Sequence, residues 1–366
     1  MMTTDGKDLA TVHESVLRAQ QVQREGVNGL RDIFDEDPRL IISPNNKCAN
    51  ACLHCVADST PQGATLPYDK FTRIDERFFR MFSVADFGRR GNPLLYNSQG
   101  HGLTDLLVFL SDQGIEKFTL ALAIQGHATA EIERLERFAK YEKKDIETMV
   151  TYHHYFVGLD IRKLAQDFNS TLKNYSRFSK SILISLLGDN YQGPGLGAMP
   201  TKSGEVQESF KDNWEMIFSG IELRQDTVDR YHAIYAGREF DIRIPSIDER
   251  VYPLGRFRQH LEGCGRLDSY EKEFEKSMGD YACPDLIKWP GIIIEPDGSL
   301  NLCASFEAIN CRGAIISNIF DKSYKRLEQE LMRFHKKELG WFIDNLQEII
   351  ERKVSTCKMK NNCYTC

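Results

Sequence analysis

The stretch Leu40-Ile-Ile-Ser-Pro-Asn-Asn-Lys-Cys48-Ala-Asn-Ala-Cys52-Leu-His-Cys55 joins a short apolar run to a loop that carries three cysteines. The apolar run predicts a buried strand, and the proline and asparagines after it predict a loop. Thiolates are the usual ligands of iron–sulfur clusters, and three on one loop can bind three irons of a four-iron cluster. A closed structural zinc site needs a fourth ligand, and His54 is awkwardly placed to chelate an ion already bound by Cys55. The stretch therefore favours a cluster with one open iron over structural zinc or redox-active cysteines.

Apolar runs alternate with amphipathic segments between residues 38 and 250. This alternation is typical of parallel βαβ units with right-handed crossovers. We predict an α/β fold, a partial (β/α)6 TIM-like barrel whose chemistry lies at the carboxyl ends of its strands. The predicted strands are Leu40–Ser43, Met81–Asp86, Phe118–Ala123, Met149–Phe156, Ile182–Leu187 and Phe240–Ile244. The predicted helices are Leu103–Gln113, Ala130–Lys144, Leu159–Phe178 and Thr227–Ala236.

The composition narrows the class of protein. Of the 366 residues, 41% are apolar and 27% are charged, which is ordinary for a globular protein. A net charge of −6 does not favour binding to nucleic acid. We see neither a secretory signal nor an apolar stretch long enough to cross a bilayer, so we expect a cytoplasmic protein without membrane contact. In a reducing cytosol, clustered cysteines bind metal more often than they form disulfides.

Three regions are predicted along the chain: an N-terminal helical extension over residues 1–37, the barrel over 38–255, and a cysteine-rich domain over 256–366. Seven of the ten cysteines lie between Cys264 and Cys366. The turn Pro296-Asp297-Gly298 joins two short runs and predicts a β-hairpin over residues 291–303. A long amphipathic segment follows from Lys322 to Lys353, and Gly340 is a potential break in it.

The Cys48-x3-Cys52-x2-Cys55 motif after the first strand resembles the cluster motif of the radical S-adenosylmethionine superfamily, and the resemblance extends over most of the chain. It implies a [4Fe-4S] cluster whose open iron binds S-adenosylmethionine. It further implies reductive cleavage of that cofactor to a 5′-deoxyadenosyl radical, which abstracts hydrogen from a substrate. An external electron donor of the flavodoxin or ferredoxin type would supply the electron.

Further positions match the superfamily's cofactor pocket. The residue before the last cysteine contacts the adenine in that superfamily, and it is His54 here. Gly88-Arg-Arg-Gly-Asn-Pro93 stands where relatives carry a Gly-Gly-Glu-Pro-like stretch, so an amide or backbone carbonyl would replace the carboxylate that meets the methionine ammonium. Plain loops, a buried strand end or a surface arginine explain the same residues. The candidate cofactor-binding residues are His54, Gly91, Asn92, Ser185, Asp189 and Arg256.

A second cysteine pattern, Cys283-x14-Gly298-x4-Cys303, resembles the auxiliary-cluster extension called SPASM, or its shorter form called twitch. Seven cysteines are too few to close two further clusters, so the resemblance implies one auxiliary [4Fe-4S] cluster. Its first-choice ligands are Cys283, Cys303, Cys363 and Cys366, with Cys357 and Cys311 as alternatives. A second auxiliary cluster with an open iron and a structural zinc site remain as alternative interpretations.

Catalytic residues stand out less clearly, and the low-ranked candidates are Cys311, His154 and Tyr152. A spare thiol such as Cys311 can donate a hydrogen atom, although buried cysteine is more often a small hydrophobe. His153 and His154 lie on the fourth predicted strand, where alternation turns one inward and one outward. We place His154 with Tyr152 on the face toward the substrate.

The resemblance implies hydrogen abstraction from a polar substrate, either a ribosomally made peptide or a sugar-like or nucleoside-like small molecule. Only about 40 residues precede the cysteine loop, which tilts the expectation toward a small molecule or a leader-independent peptide. The rival class is a non-catalytic iron–sulfur or zinc scaffold, or an electron carrier. The open three-cysteine loop argues against that class, because scaffolds and carriers usually close their coordination.

Overall fold

The computed structural model describes residues 29–50, 52, 55, 57, 59–88, 90–126, 129–153, 160–187, 203–244, 255–263, 265–269, 289–301, 315–320 and 322–344. Its strands are β1 (Phe34–Ile42), β2 (Val84–Phe87), β3 (Lys117–Leu122), β4 (Asp145–Tyr152), β5 (Ser181–Leu186), β6 (Glu222–Thr227), β7 (Arg230–Tyr235), β8 (Arg238–Arg243), β9 (Trp289–Ile294), β10 (Ser299–Asn301) and β11 (Ile315–Asn318). Its helices are α1 (Tyr68–Phe71), α2 (Glu76–Phe79), α3 (Leu103–Asp112), α4 (Ala130–Glu142), α5 (Ile161–Tyr175), α6 (Ser203–Asp212), α7 (Trp214–Ile217), α8 (Gly255–Gly263) and α9 (Tyr324–Asp344). Two 3-10 turns cover Leu30–Ile33 and Pro93–Leu95.

All eleven strands belong to one sheet, in the order β11-β10-β9-β1-β2-β3-β4-β5-β8-β7-β6. β1, β2, β3, β4, β5 and β8 pair in parallel, and they correspond to the six predicted strands. β9 also pairs in parallel with β1, on the side opposite β2. The α/β prediction is therefore confirmed as a large open sheet, which is consistent with a partial barrel. The carboxyl ends of all seven parallel strands lie at one edge, which we call the carboxyl edge.

The core lies between one face of the parallel strands and the helices that connect them. Phe118 and Leu120 on β3, Ile146 and Val150 on β4, and Ile182 on β5 are almost completely buried. They alternate with less buried residues, as a strand with one helix-covered face requires. The residues between them, including Ala121, Met149 and Leu183, face away from these helices.

The predicted helix Thr227–Ala236 is wrong, because β7 occupies Arg230–Tyr235 and pairs antiparallel with both β6 and β8. Aromatic and β-branched residues in this stretch favour a strand. Ala236 and Gly237 both have positive φ, 52° and 77°, and form a two-residue hairpin turn that twists with the strands. Strands β6 and β8 provide the backbone hydrogen-bond partners of β7, and an amphipathic pattern alone does not reveal these partners.

Near the N-terminus, residues Phe34–Asp37 begin strand β1, although the sequence groups them with a helical extension. Phe34 pairs with Trp289 of β9, a partner that is distant in the sequence. Residues 1–28, the rest of that predicted extension, lie outside the described residues.

The predicted C-terminal hairpin is present as β9 and β10, with Leu300 opposite Ile294. Its turn uses Gly298 at φ +83°, and a Cβ there would lie 2.3 Å from the ring of Phe320. Helix α9 continues through Gly340 to Asp344 without the predicted break. No helix in the described part of the chain is long and apolar enough to span a membrane.

Candidate functional site

The cysteine loop leaves the carboxyl edge directly after β1 and folds back on itself. The Ser43 N–H donates to the carbonyl oxygen of Ile294 at 2.9 Å, so the start of the loop is fixed to β9. Short bridges join Asn45 to Thr65 and Lys47 to Thr60. The loop is thus held in place on both sides of the three-cysteine segment.

Cys48, Cys52 and Cys55 are partly buried thiols, and none of these three forms a disulfide. The Cys48 N–H donates to the Thr60 carbonyl at 3.0 Å, and the Cys55 N–H donates to the Cys52 carbonyl at 3.2 Å. The Ser59 N–H donates to the Cys55 Sγ at 3.3 Å. Hydrogen bonds of this type to cysteine sulfur are among the features that set the potential of iron–sulfur clusters.

The loop after β2 packs directly against the cysteine loop. The Asn92 N–H donates to the Lys47 carbonyl at 2.7 Å, and the Gly91 N–H donates to the Ser59 Oγ at 3.0 Å. The Asn45 amide donates in return to the Asn92 carbonyl at 3.1 Å. The two loops therefore form one hydrogen-bonded unit above β1 and β2.

Gly91 is required by this contact. Its φ of +64° is unfavourable for any residue with a Cβ. A Cβ would also lie 2.6 Å from the Asn45 Oδ1 and 2.7 Å from the Lys47 carbonyl oxygen. The tight packing around Gly91 is thus against the cysteine loop.

The Asn92 side chain is buried and caps the 3-10 turn that follows it. Its Oδ1 accepts from the Leu94 N–H at 3.2 Å, while its own carbonyl oxygen accepts from Asn45. Both oxygens of Asn92 are thus already engaged in fixing the loop. A contact between Asn92 and the methionine ammonium stays a prediction.

A buried ion pair links the loop after β2 to the turn after β9. Arg90 Nε and Glu295 Oε2 lie 2.9 Å apart, with the two side chains 17% and 6% exposed. Burial lowers the pKa of Arg90 and raises the pKa of Glu295, and in both cases the attraction of the partner opposes the shift. The atoms lack the alignment of a hydrogen bond, and Asn301 Oδ1 is likewise buried without a hydrogen-bond partner among the described residues.

Tyr152 and His153 lie on opposite faces at the end of β4. The Tyr152 ring packs edge-on against Phe168 and Phe210, with centroids 5.2 Å away in each case, and its hydroxyl lies 3.3 Å from the Ser209 hydroxyl. Tyr152 therefore lies on the helix-covered face and packs in the core, and its predicted catalytic role stays a prediction. His153 is 5% exposed, and its Nε2 lies 3.8 Å from the Cys52 Sγ.

His153 is the contact that sequence reasoning missed, although the signal was present. Alternation already turned one of the two adjacent histidines inward, and we chose His154. The pairing of Arg90 with Glu295 has no local signal, because the two residues are distant in the sequence and meet only when β9 pairs with β1.

Ser185, a predicted cofactor contact, is buried on β5, and its predicted role stays a prediction. It lies on β5 opposite Thr151, and its buried Oγ lacks a hydrogen-bond partner among the described residues. A buried hydroxyl left without a partner costs free energy, so such an atom suits a site that a ligand completes.

The remaining predicted residues lie outside the described part of the chain or give little to interpret. Outside it are His54, Asp189, His154, Cys283, Cys303, Cys311, Cys357, Cys363 and Cys366. Arg256 lies in helix α8, where its side chain is not described.

The described thiols fit a four-iron cluster in their number, exposure and hydrogen bonding. Among the described residues, no three His, Cys, Asp or Glu side chains converge as ligands of a single metal ion. The thiolates of a four-iron cluster each bind a different iron. The lack of three converging ligands among the described residues therefore argues against a site for a single metal ion there, and not against a cluster.

No protein-family model matches the chain, and no curated protein matches its sequence. Among solved structures, SuiB of Streptococcus suis bound to S-adenosylmethionine aligns at 11% identity and a TM-score of 0.41, over 87% of this chain and 70% of that one. BtrN in complex with AdoMet and 2-DOIA aligns at 12% identity and a TM-score of 0.35, over 91% and 94% of the two chains. HydG, a maturase of the [FeFe]-hydrogenase, aligns at 13% identity and a TM-score of 0.31, over 68% and 49%.

All three of these proteins are radical S-adenosylmethionine enzymes, the superfamily that the cysteine motif resembles. Likenesses with TM-scores below 0.5 carry no weight for function. The residues of this chain must therefore support any function assigned to it.

Proposed function

We propose that this chain is a radical S-adenosylmethionine enzyme in which Cys48, Cys52 and Cys55 bind a [4Fe-4S] cluster. The observation that carries the proposal is the placement of these thiols. They lie partly exposed on a loop at the carboxyl edge of a parallel sheet, the edge at which open α/β sheets bind their ligands. Three thiolates leave one iron for an external ligand.

When bound, the reduced cluster supplies the electron that cleaves S-adenosylmethionine and yields a 5′-deoxyadenosyl radical. The chain's own residues bind and orient. Gly91 and Asn92 hold the loop after β2 against the cysteine loop, and the hydroxyl of Ser185, which lacks a partner among the described residues, would bind a ribose. We assign His54, Asp189 and Arg256 to the same cofactor-binding set on the resemblance alone.

The proposed substrate is a polar molecule, either a ribosomal peptide or a sugar-like or nucleoside-like metabolite, and a flavodoxin or ferredoxin would serve as electron donor. We also propose one auxiliary [4Fe-4S] cluster held by Cys283, Cys303, Cys363 and Cys366. The β9–β10 hairpin supports this assignment, because it carries the chain to within two residues of Cys303. His154 and Cys311 remain the proposed candidates for contact with the substrate.

Anaerobic reconstitution followed by reduction with dithionite tests the proposal. We expect 5′-deoxyadenosine from S-adenosylmethionine, and about eight irons per chain if one auxiliary cluster is present. The Cys52→Ala variant should lose the product completely, because the cluster loses one of three thiolates. Liquid chromatography with mass detection measures 5′-deoxyadenosine, and iron is counted on the same sample.

Cys264→Ala is the matched control, since Cys264 belongs to neither proposed ligand set, and it should retain 5′-deoxyadenosine formation. A protein with fully assembled clusters that forms no 5′-deoxyadenosine would instead be a scaffold or an electron carrier. A count of about twelve irons per chain would instead indicate two auxiliary clusters.

A further inference from the structure

The geometry points to His153 as a residue that tunes the cluster bound by the cysteine loop. We infer that its Nε2–H donates a hydrogen bond to the Cys52 sulfur and raises the reduction potential of that cluster. The inference rests on the proposed function, because it requires a cluster at Cys48, Cys52 and Cys55. It adds a residue that neither the cysteine motif nor the candidate cofactor-binding set contains.

The contact is well defined in the structure. His153 Nε2 lies 3.8 Å from Cys52 Sγ, within hydrogen-bonding range for sulfur, and the imidazole is 5% exposed. The backbone next to it is anchored, because the Leu187 N–H donates to the Tyr152 carbonyl at 3.1 Å. The imidazole is therefore held by the end of β4 and is not a mobile surface group.

The cysteine loop is also held toward this end of the sheet. The Asn50 side-chain amide lies 3.5 Å from the Ile124 carbonyl oxygen, just beyond the end of β3. The loop that begins at β1 thus crosses the ends of β2 and β3 and reaches β4. Cys52 meets His153 because of this crossing, and not through any nearness in the sequence.

The chemistry gives the direction of the effect. A thiolate bound to iron is only an acceptor, so it selects the imidazole tautomer with the proton on Nε2. One-electron reduction adds negative charge to the cluster and its thiolates, and a hydrogen bond to a thiolate stabilises that charge. Hydrogen bonds to the sulfurs and restricted solvent exposure are both known to set cluster potentials. Removing the donor should therefore make the cluster harder to reduce.

A redox titration of the reconstituted, full-length enzyme tests the inference, with the reduced cluster measured by its electron paramagnetic resonance signal at constant pH. The auxiliary ligands Cys283 and Cys303 are changed to alanine in every sample, so that the signal reports the cysteine-loop cluster alone. For His153→Phe we expect a roughly tenfold lower ratio of reduced to oxidised cluster at a fixed applied potential, which equals a fall of about 59 mV for a one-electron couple. His153→Gln keeps an N–H donor at a similar reach and should restore most of the ratio.

His232→Phe is the matched control, because His232 lies on β7, far along the sheet from the cysteine loop, and it should leave the titration unchanged. If His153→Phe does not fold, His153→Met provides a donor-free side chain of similar length. Labelling histidine with nitrogen-15 gives a second readout. A weak nitrogen coupling to the reduced cluster should be present in the parent protein and lost in His153→Gln.

The outcomes separate this inference from the proposed function. If iron does not assemble on Cys48, Cys52 and Cys55, the proposed function fails. If the cluster assembles and forms 5′-deoxyadenosine while the donor-free variant titrates like the parent, the inference about His153 is wrong and the proposed function stands. A potential lowered equally in the Phe and Gln variants would also overturn the inference, since it would show a packing effect.

Discussion

Two ion pairs in this protein join similar groups in opposite electrostatic settings. Arg90 and Glu295 meet at the carboxyl edge, where burial raises the pKa of Glu295 despite the adjacent guanidinium. Lys322 and Glu330 meet where α9 packs against β11, and hydrogen bonds from Lys322 and Ser317 lower the pKa of Glu330 to about 2. Burial therefore outweighs the partner's attraction in setting the pKa of both groups of the first pair, whereas hydrogen bonds outweigh burial in setting the pKa of Glu330.

The difference shows what each pair does for the fold. A partly exposed pair with well-aligned donors, such as Lys322 and Glu330, adds to the Ser317–Glu330 hydrogen bond that joins α9 to β11 at little cost. A buried pair without hydrogen-bond alignment is a weak source of stability, but it cannot be broken on one side without leaving an uncompensated charge. Arg90 and Glu295 therefore enforce the position of the β9 turn beside the loop after β2.

Breaking the buried pair on one side should have the largest effect. Arg90→Met leaves the Glu295 carboxylate buried without its cation, and we expect the free energy of unfolding to fall by about 3–5 kcal/mol. Urea unfolding monitored by circular dichroism measures the change. The double variant Arg90→Met with Glu295→Met removes both charges and should regain most of the loss, whereas equal losses in the single and double variants would contradict this account.

A substitution at Gly91 tests whether the same edge also depends on close backbone packing. Gly91→Ala places a Cβ against Asn45 and Lys47. We therefore expect it to lower the free energy of unfolding by about 1–3 kcal/mol more than the strain in φ alone would. Gly114→Ala is the matched control, because Gly114 has a φ of +97° with open space around it. Its cost should be only the left-handed strain, about 1–2 kcal/mol.

The amount of iron that the cysteine loop binds in the Gly91→Ala and Gly114→Ala variants tests the same comparison. Gly91→Ala should also reduce iron binding by the cysteine loop, and Gly114→Ala should not. If both variants lose the same stability and bind the same amount of iron, the loop after β2 does not support the cysteine loop in the way the contacts indicate.

The smallest effect is expected at the pair formed by Lys322 and Glu330. Glu330→Gln should lower the free energy of unfolding at neutral pH by about 0.2–1 kcal/mol. Because the pKa of Glu330 is lowered from 4.5 to about 2 on folding, its contribution is present above pH 4.5 and is lost as the pH falls toward 2. Urea midpoints at several pH values should therefore converge for parent and variant in acid.

The pKa of Glu295 is shifted in the other direction, so the sign of its contribution is reversed. Because the pKa of Glu295 is higher in the folded protein than in the unfolded chain, Glu295 stabilises the fold at pH values below its unfolded pKa. This contribution is lost as the pH rises through its folded pKa. Acid should therefore weaken the contact between α9 and β11, whereas the titration of Glu295 should not add to the loss of stability in acid. A Glu295→Gln variant whose stability changed with pH in the same way as that of Glu330→Gln would contradict the contrast between the two pairs.

Local sequence signals predicted a large part of this molecule. The apolar runs predicted six of the seven parallel strands, and the helices α3, α4 and α5 agree with their amphipathic segments. Pro296-Asp297-Gly298 predicted the hairpin because those residues supply the turn geometry themselves. The prediction at Thr227–Ala236 failed because it, too, used local signals alone. A short amphipathic stretch predicts a helix as long as its partner strands are unknown.

What the sequence by itself determined is the alternating α/β pattern, the three-cysteine loop after the first strand and the C-terminal turn, because each depends on residues close together in the chain. Only the tertiary structure decided that β9 lies beside β1, that Arg90 meets Glu295 and that His153 reaches Cys52. These contacts join residues far apart in the sequence, and each depends on strand order and on which face of a strand a side chain occupies. A one-residue shift along a strand reverses that face, so the periodicity that predicts a strand does not say what its side chains contact.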